Sequence, residues 1–181
     1  MKAKLINNNF TQQVLNDIHK SLEINKFPTN VIVETTAACN YKCSMCHNND
    51  MIRKVKNIKE EVWDKVLNEV AEQNIDTNIW LTFYGEPLLQ FDKIIYGLKK
   101  CNELGLKNTF LNTNASLMTK ERFEVLANYG LKNLIYSVDG FSKETYESIR
   151  IGGNRDVIYS KIIETIKYNN QCGNKVNIEI Q

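Results

Sequence analysis

The chain has 181 residues, of which 43% are hydrophobic and 24% charged, and this composition indicates one globular domain. The formal net charge of +2 is too small to favour nucleic acid or a membrane surface as a partner, and no apolar run approaches membrane-spanning length. Five cysteines, three of them clustered, and a start without the apolar segment of a signal peptide favour a cytoplasmic protein over a disulfide-bonded secreted one.

The first predicted element is a helix. Apolar residues recur with a helical period between residues 10 and 24, and Pro28 follows soon after. Residues 1–28 are therefore expected to form an N-terminal helical extension that precedes a core domain over residues 29–181.

Strands and helices are predicted to alternate through the core domain. Helices with one apolar face are expected near residues 60–71, 91–101, 119–127 and 158–166, with Asn57 and Thr119 as candidate helix starts and Cys101 on a buried stripe. Short β-branched or aromatic segments predict five strands over residues 31–36, 79–83, 106–111, 134–138 and 176–180. This alternation predicts an α/β fold with a parallel sheet, outer helices and chemistry at the carboxyl ends of the strands.

Three clustered cysteines follow the first predicted strand. Cys39, Cys43 and Cys46 have the spacing C-x3-C-x2-C. A closed structural metal site usually takes four protein ligands, whereas three leave one position open for a substrate or cofactor. A 4Fe–4S cluster held in this way has one iron able to chelate an amino and a carboxylate group. The alternative is a zinc site completed by His47, although His47 directly follows Cys46, a spacing too tight for usual zinc geometry.

Polar motifs also follow the next three strands. Glu86 lies on a turn where Gly85 permits close backbone approach and Pro87 stiffens the chain, so that its carboxylate could pair with an ammonium group; a plain turn with a solvated Glu is the alternative. Asn114 ends the third strand, and it could equally hydrogen-bond a ligand or form the turn. Arg150 follows the fourth strand; its planar fork suits a carboxylate ligand, and a surface salt bridge is the alternative.

These motifs, in this order, resemble the radical S-adenosylmethionine (SAM) family, whose signature is the same cysteine spacing after a first barrel strand. The resemblance covers about residues 29–181 and implies that Cys39, Cys43 and Cys46 ligate a 4Fe–4S cluster. It further implies contacts with SAM: Glu86 with the methionyl amino group, Ser137 and Arg150 with the carboxylate, Met45 with the adenine, and Asn114 with cofactor or substrate.

The residues from Ser137 to Arg150 are similar to those of the subgroup whose members often carry a C-terminal SPASM or twitch domain. The family's partial (β/α)6 TIM-like barrel has six strands, and five are predicted here, so the chain is expected to lack the last unit. Tyr84 and Ala115 stand where the family often has Gly. The alanine predicts that residue 115 does not adopt a backbone angle that only Gly tolerates.

The expected function follows from the resemblance. A radical SAM enzyme reduces its cluster with a partner such as flavodoxin or ferredoxin and cleaves SAM to a 5′-deoxyadenosyl radical. That radical takes hydrogen from a peptide, a sugar or another small-molecule substrate. The alternative is a non-catalytic metal module, either a zinc-stabilised binding domain or an iron–sulfur electron-transfer protein.

Overall fold

The computed structural model describes residues 9–21 and 27–181. Helix α1 spans Asn9–Ser21, and so confirms a helix near the start of the chain. The predicted continuation of this helix to residue 24 lies outside the described residues. Val14, Leu15 and Ile18 are 40–46% exposed, so the apolar stripe of α1 is only partly covered. The assignment of residues 1–28 as a separate extension stays a prediction.

One five-stranded parallel sheet forms the centre of the fold, in the spatial order β1-β2-β3-β4-β5. The α/β class and the partial barrel are therefore confirmed. The strands are shorter than predicted, and their bounds are β1 Asn30–Ile32, β2 Asn78–Trp80, β3 Thr109–Thr113, β4 Asn133–Tyr136 and β5 Asn177–Ile180.

The third strand begins three residues later than predicted. Leu106 donates its backbone N–H to the carbonyl of Cys101 at 2.9 Å, so it closes the preceding helix instead of pairing in the sheet. Leu106 is apolar and buried, as a strand residue of the core would be, so the sequence pattern did not separate it from the strand. The adjacent Gly105 has a φ of 75°, a left-handed angle that ends the helix.

Five further helices cover the sheet: α2 Glu60–Gln73, α3 Phe91–Glu103, α4 Lys120–Asn128, α5 Lys143–Ile149 and α6 Arg155–Gln171. The predicted start at Thr119 is confirmed, because its side chain accepts the N–H of Arg122. The predicted start at Asn57 is wrong. Its Oδ1 instead accepts the hydroxyl of Thr36 at 2.7 Å, which ties the segment before α2 to the chain after β1.

The hydrophobic core lies between the sheet and the helices. Trp63 and Leu67 of α2 pack in it with no exposed surface, and Cys101 of α3 is 1% exposed, as predicted. Burial raises the pKa of the Cys101 thiol to about 12, which keeps it neutral and apolar. Val176, just before β5, is buried in this core and Ile178 of β5 packs against it, whereas Glu179 lies on the other face of the strand and is exposed.

We predict that Leu67→Ala lowers the free energy of unfolding by about 2–5 kcal/mol, because it leaves a cavity where α2 packs on the sheet. Val62→Ala on the same helix is the control. Val62 is 45% exposed, so its truncation should cost about 0.5 kcal/mol. Urea unfolding measures both values, and equal losses would contradict the described packing of α2.

Candidate functional site: the cysteine loop at the strand ends

A cavity of about 320 Å³ lies at the carboxyl ends of the strands. Of the eight residues singled out in the sequence, it brings seven together: Cys39, Cys43, Cys46, Glu86, Asn114, Ser137 and Arg150. The eighth, Met45, is 50% exposed and is not among the lining residues. Its contact with adenine stays a prediction.

The three thiols differ in their surroundings. Cys43 is buried, whereas Cys39 and Cys46 are half-buried. Burial raises the pKa of Cys39 and of Cys43, and the Arg150 guanidinium opposes this at Cys43, with its Nη1 3.7 Å from Sγ. Buried thiols become thiolates when positive charge compensates them, and a bound metal centre can provide that charge.

The structure does not assemble the zinc alternative. His47 is exposed and does not line the cavity. In the part of the chain that the structure describes, no group of three His, Cys, Asp or Glu side chains is close enough to hold a single metal ion. The three thiols, without His47, line one cavity.

The cysteine loop, which comprises residues 36–46, lies directly against the turn after β2. A Cβ atom on Gly85 would lie 2.0 Å from the carbonyl oxygen of Thr36 and 2.7 Å from that of Ala38, so only glycine fits. The next N–H, that of Glu86, donates to the Ala38 carbonyl at 2.8 Å. This close backbone contact fixes the first part of the cysteine loop.

Asn48 joins the same two segments from the other side of the loop. Its Nδ2 donates to the carbonyl of Ala37 at 2.9 Å and to that of Tyr84 at 3.2 Å. Tyr84 has no left-handed backbone angle, so the residue that stands where the family has Gly needs no glycine here. It contributes its carbonyl oxygen.

Glu86 is buried at the edge of the cavity, with 2% of its surface exposed. Its carboxylate accepts three hydrogen bonds, from the N–H of Leu88 at 3.0 Å, the hydroxyl of Thr113 at 2.7 Å and the N–H of Asn114 at 2.9 Å. Burial nevertheless raises its pKa above the ordinary value. The carboxylate is thus rigidly placed, and a cation in the cavity would relieve part of its desolvation.

Asn114 links the third strand to the cysteine loop. Its Nδ2 donates to Asn40 Oδ1 at 3.0 Å, and its Oδ1 accepts from the N–H and the hydroxyl of Ser116. Asn40 also donates to the Ser116 hydroxyl at 2.8 Å. Both interpretations of Asn114 therefore have support, because the residue forms the turn and also lines the cavity.

The prediction for residue 115 is wrong. Ala115 has a φ of 64°, the left-handed region that usually favours glycine. Its N–H donates to Thr113 Oγ1 at 3.2 Å, and the side chain of Asn114 closes the turn on the other side. These bonds offset the left-handed conformation, which costs an alanine about 1–2 kcal/mol.

The segment after α5 brings Arg150 to the cysteine loop. Backbone N–H groups of Lys42 and Ser44 donate to the carbonyls of Ile151 and Ile149, both at 2.9 Å. Arg150 is 14% exposed and forms an ion pair with Asp139, whose side chain is 33% exposed, so the predicted salt bridge is present at the edge of the cavity and the contact of Arg150 with a carboxylate ligand stays a prediction. The Nε atom of Arg150 is buried without a partner among the described residues.

Sequence reasoning missed several residues that line the cavity. The Oδ1 of Asn112 is buried without a partner in the described part of the chain, and so is the Nε of Arg150. Both residues line the cavity, where a ligand could bond to these atoms. The alternation along β3 could have identified Asn112, which shares the open face of the strand with Phe110. Phe110 stacks on Trp80 of β2, with ring centroids 4.4 Å apart.

The chain belongs to the radical SAM superfamily, whose family model matches residues 33–180. Members of this superfamily use a 4Fe–4S cluster and SAM, so the cofactors expected from the motifs are those of the family. Among the described residues, no helix is long and apolar enough to cross a membrane.

Several relatives share this core. The chain is 32% identical over 143 residues to PqqA peptide cyclase from Bradyrhizobium diazoefficiens, covering 78% of this chain and 36% of that protein. It is 27% identical over 137 residues to GTP 3′,8-cyclase from Clostridium botulinum, covering 74% of this chain and 42% of that protein. The structure of Streptococcus suis SuiB bound to SAM has a TM-score of 0.68 and 24% identity, covering 97% of this chain and 40% of SuiB. SuiB has also been solved bound to its precursor peptide SuiA.

The family match confirms the predicted membership of the radical SAM family over its core domain, and the named relatives fit the predicted SPASM and twitch subgroup. The chain spans about two fifths of the length of the relatives it matches.

We predict that Gly85→Ala lowers the free energy of unfolding by about 1–3 kcal/mol, because the added methyl group meets two backbone carbonyls that cannot rotate away. Tyr84→Ala is the control in the same turn, since it keeps the backbone that Asn48 binds. Urea unfolding of the iron-free protein measures both. An unchanged Gly85→Ala protein would show that the loop and the turn are not in contact.

Proposed function

We propose that this chain is the catalytic core of a radical SAM enzyme. The observation that carries the proposal is that three thiols share one cavity with a buried carboxylate and a largely buried guanidinium. A cavity with thiols on one wall and both charges beside them is complementary to an iron–sulfur cluster that binds a zwitterion.

The roles of the side chains follow from their charges. Cys39, Cys43 and Cys46 would hold a 4Fe–4S cluster. Glu86 would face the ammonium group of SAM, and Arg150 with Ser137 would face its carboxylate. Bound here and reduced, the cluster would supply the electron that cleaves SAM to methionine and a 5′-deoxyadenosyl radical.

The chain's own groups would orient the cofactor before this step. Asp139 holds the Arg150 guanidinium, and Thr113 and the Asn114 N–H hold the Glu86 carboxylate. Neither charged group has to be ordered when the ligand binds, which lowers the entropic cost of binding. The open face of the sheet, with Asn112, would receive the substrate beside the bound cofactor.

A peptide is the substrate class that we favour. PqqA peptide cyclase is a relative by sequence, and SuiB, which is similar in fold, has been solved with a precursor peptide. The similarity to GTP 3′,8-cyclase makes a nucleotide the second candidate substrate. Sugars and other small molecules are further candidates. A reductant such as flavodoxin or ferredoxin is the expected partner, and the cytoplasm the expected location.

Anaerobic reconstitution separates this function from the non-catalytic alternatives. We expect about four irons and four sulfides per chain, with visible absorption near 400 nm that changes when SAM is added. One bound zinc without such absorption would indicate a zinc-stabilised binding domain. A full cluster that does not respond to SAM would indicate an electron-transfer protein.

We predict that Cys39→Ala, Cys43→Ala and Cys46→Ala each abolish cluster binding, because each removes one of three ligands on the cavity wall. Cys101→Ala and Cys172→Ala should keep it, since neither residue lines the cavity. Iron content per chain after reconstitution is the measurement. Full iron in the Cys43 variant, or its loss in the Cys172 variant, would contradict the assignment.

We predict that Glu86→Gln weakens SAM binding ten- to a hundredfold, which corresponds to about 1.5–3 kcal/mol for a lost charged hydrogen bond, and keeps the cluster. Burial raises the pKa of Glu86, so its charge is lost as the pH falls through that pKa. Wild-type affinity should therefore rise with pH through a transition above the usual range of a glutamate. The Glu86→Gln variant should lack this transition in calorimetric titrations with SAM. If its affinity for SAM equals that of wild type, Glu86 has only a structural role.

A further inference from the structure

A short basic segment, residues 51–59, lies beside the cysteine loop. It contains Arg53, Lys54, Lys56 and Lys59 and no acidic residue, so it carries +4 in a chain whose formal net charge is +2. The rest of the chain therefore sums to −2. The other 19 Lys and Arg residues are outnumbered by the 21 Asp and Glu residues, so the segment is a local excess of positive charge, although Asp50, Glu60 and Glu61 flank it.

Two of the basic side chains are free to meet a partner. Arg53 pairs with Glu34, and Lys59 lies near Glu61. No ion pair holds Lys54 or Lys56 within the described residues, and both are exposed. These two lysines carry most of the uncompensated charge of the basic segment.

Exposed apolar side chains alternate with these lysines. Ile52 is fully exposed, and Val55 is 61% exposed. Met45, on the cysteine loop itself, is 50% exposed. The segment also borders a groove of about 540 Å³ beside the edge strand β1. Apolar residues interspersed with unpaired charges are typical of a protein-binding surface with a polar rim.

Both ends of the basic segment are attached to the cysteine loop. A short 3-10 helix, His47–Asp50, begins directly after Cys46 and connects the cysteine loop to the basic segment. The N–H of Met51, the first residue of the segment, donates to the carbonyl of Asn48. At the other end, the N–H of Ala37, two residues before Cys39, donates to the Lys56 carbonyl at 3.3 Å. A protein bound to this segment would therefore lie next to the cysteine loop.

We propose that the basic segment is the docking surface for an acidic electron-donor protein of the flavodoxin or ferredoxin class. The inference rests on the proposed function, because a cluster held by Cys39, Cys43 and Cys46 must gain one electron and the docked donor loses one. Electron transfer slows steeply with distance, so the donor has to bind close to the cysteine loop. The charge of the segment is complementary to an acidic surface, which would steer the encounter.

A nucleic acid fits this surface less well. Residues 51–59 contain no aromatic side chain, so they offer no stacking platform for bases. Ile52 and Val55 would stay exposed against a phosphate backbone, whereas they can pack against apolar residues of a protein.

The test uses the 181-residue chain, a purified acidic flavodoxin and the variant Lys54→Glu/Lys56→Glu. The matched control is Lys107→Glu/Lys132→Glu. These exposed lysines precede β3 and β4, at the end of the sheet opposite the cysteine loop. Ile52→Ser/Val55→Ser examines the apolar part of the surface. Binding is measured by surface plasmon resonance at low salt and at 0.5 M salt, on the order of the range in which exposed charges become screened.

We expect the charge reversal to lower the association rate about tenfold or more at low salt, with the difference shrinking at high salt. The control should bind like wild type, and Ile52→Ser/Val55→Ser should mainly raise the dissociation rate. The proposal is overturned if flavodoxin does not bind, if the control loses as much affinity as the variant, or if the variant binds normally. It is also overturned if a single-stranded RNA or anionic lipid vesicles bind more tightly than flavodoxin and lose affinity in the same variant.

A second readout separates this inference from the proposed function. Reduction by dithionite needs no docking, so SAM cleavage driven by dithionite should be equal in wild type and in Lys54→Glu/Lys56→Glu. Cleavage driven by reduced flavodoxin should fall in the variant alone. Absence of dithionite-driven cleavage in every protein would contradict the proposed function, whereas equal loss of both activities in the variant would contradict the docking surface.

Discussion

The contact between the cysteine loop and the turn after β2 is the constraint on which the site depends. Gly85 lies against the carbonyl oxygens of Thr36 and Ala38, and the next residue of the turn is Glu86. One backbone contact therefore positions the thiols and the buried carboxylate relative to each other. Asn48, just after the loop, strengthens this contact by donating to the carbonyls of Ala37 and Tyr84. A mobile loop would have to be ordered whenever a cluster bound, and this arrangement removes much of that cost.

The charged side chains of the site are held in place before any ligand enters. Glu86 is held by three donors, and Arg150 is held by Asp139 while it contacts Cys43. Both charged groups are largely desolvated, so their interactions with a ligand are stronger than in water. The raised pKa of Glu86 shows that its surroundings do not fully compensate its charge. A cationic ligand group would supply compensating charge, which is the basis on which we propose that Glu86 faces the ammonium group of SAM.

Much of this organisation could be predicted from the sequence. The cysteine spacing, the Gly-Glu-Pro turn and the strand–helix alternation are local patterns, and each has a local physical cause. They also placed the motifs at one edge of the sheet, since the carboxyl ends of parallel strands meet there. Seven candidate residues accordingly share one cavity. Local patterns were sufficient wherever a single segment decides the outcome.

The errors arose where distant segments decide. Asn57 resembles a helix cap, but its side chain accepts a hydrogen bond from the hydroxyl of Thr36, in the segment after β1. Ala115 adopts an angle that favours glycine because Thr113 and Asn114 hold its turn. Tertiary hydrogen bonds and burial override single-residue preferences at such positions.

The most direct test of the account is the release of 5′-deoxyadenosine from SAM by the anaerobically reconstituted chain under dithionite. We expect 5′-deoxyadenosine from the wild-type protein and none above background from a protein that lacks Cys43. A fully reconstituted 4Fe–4S protein that leaves SAM intact, or equal release by both proteins, would contradict it.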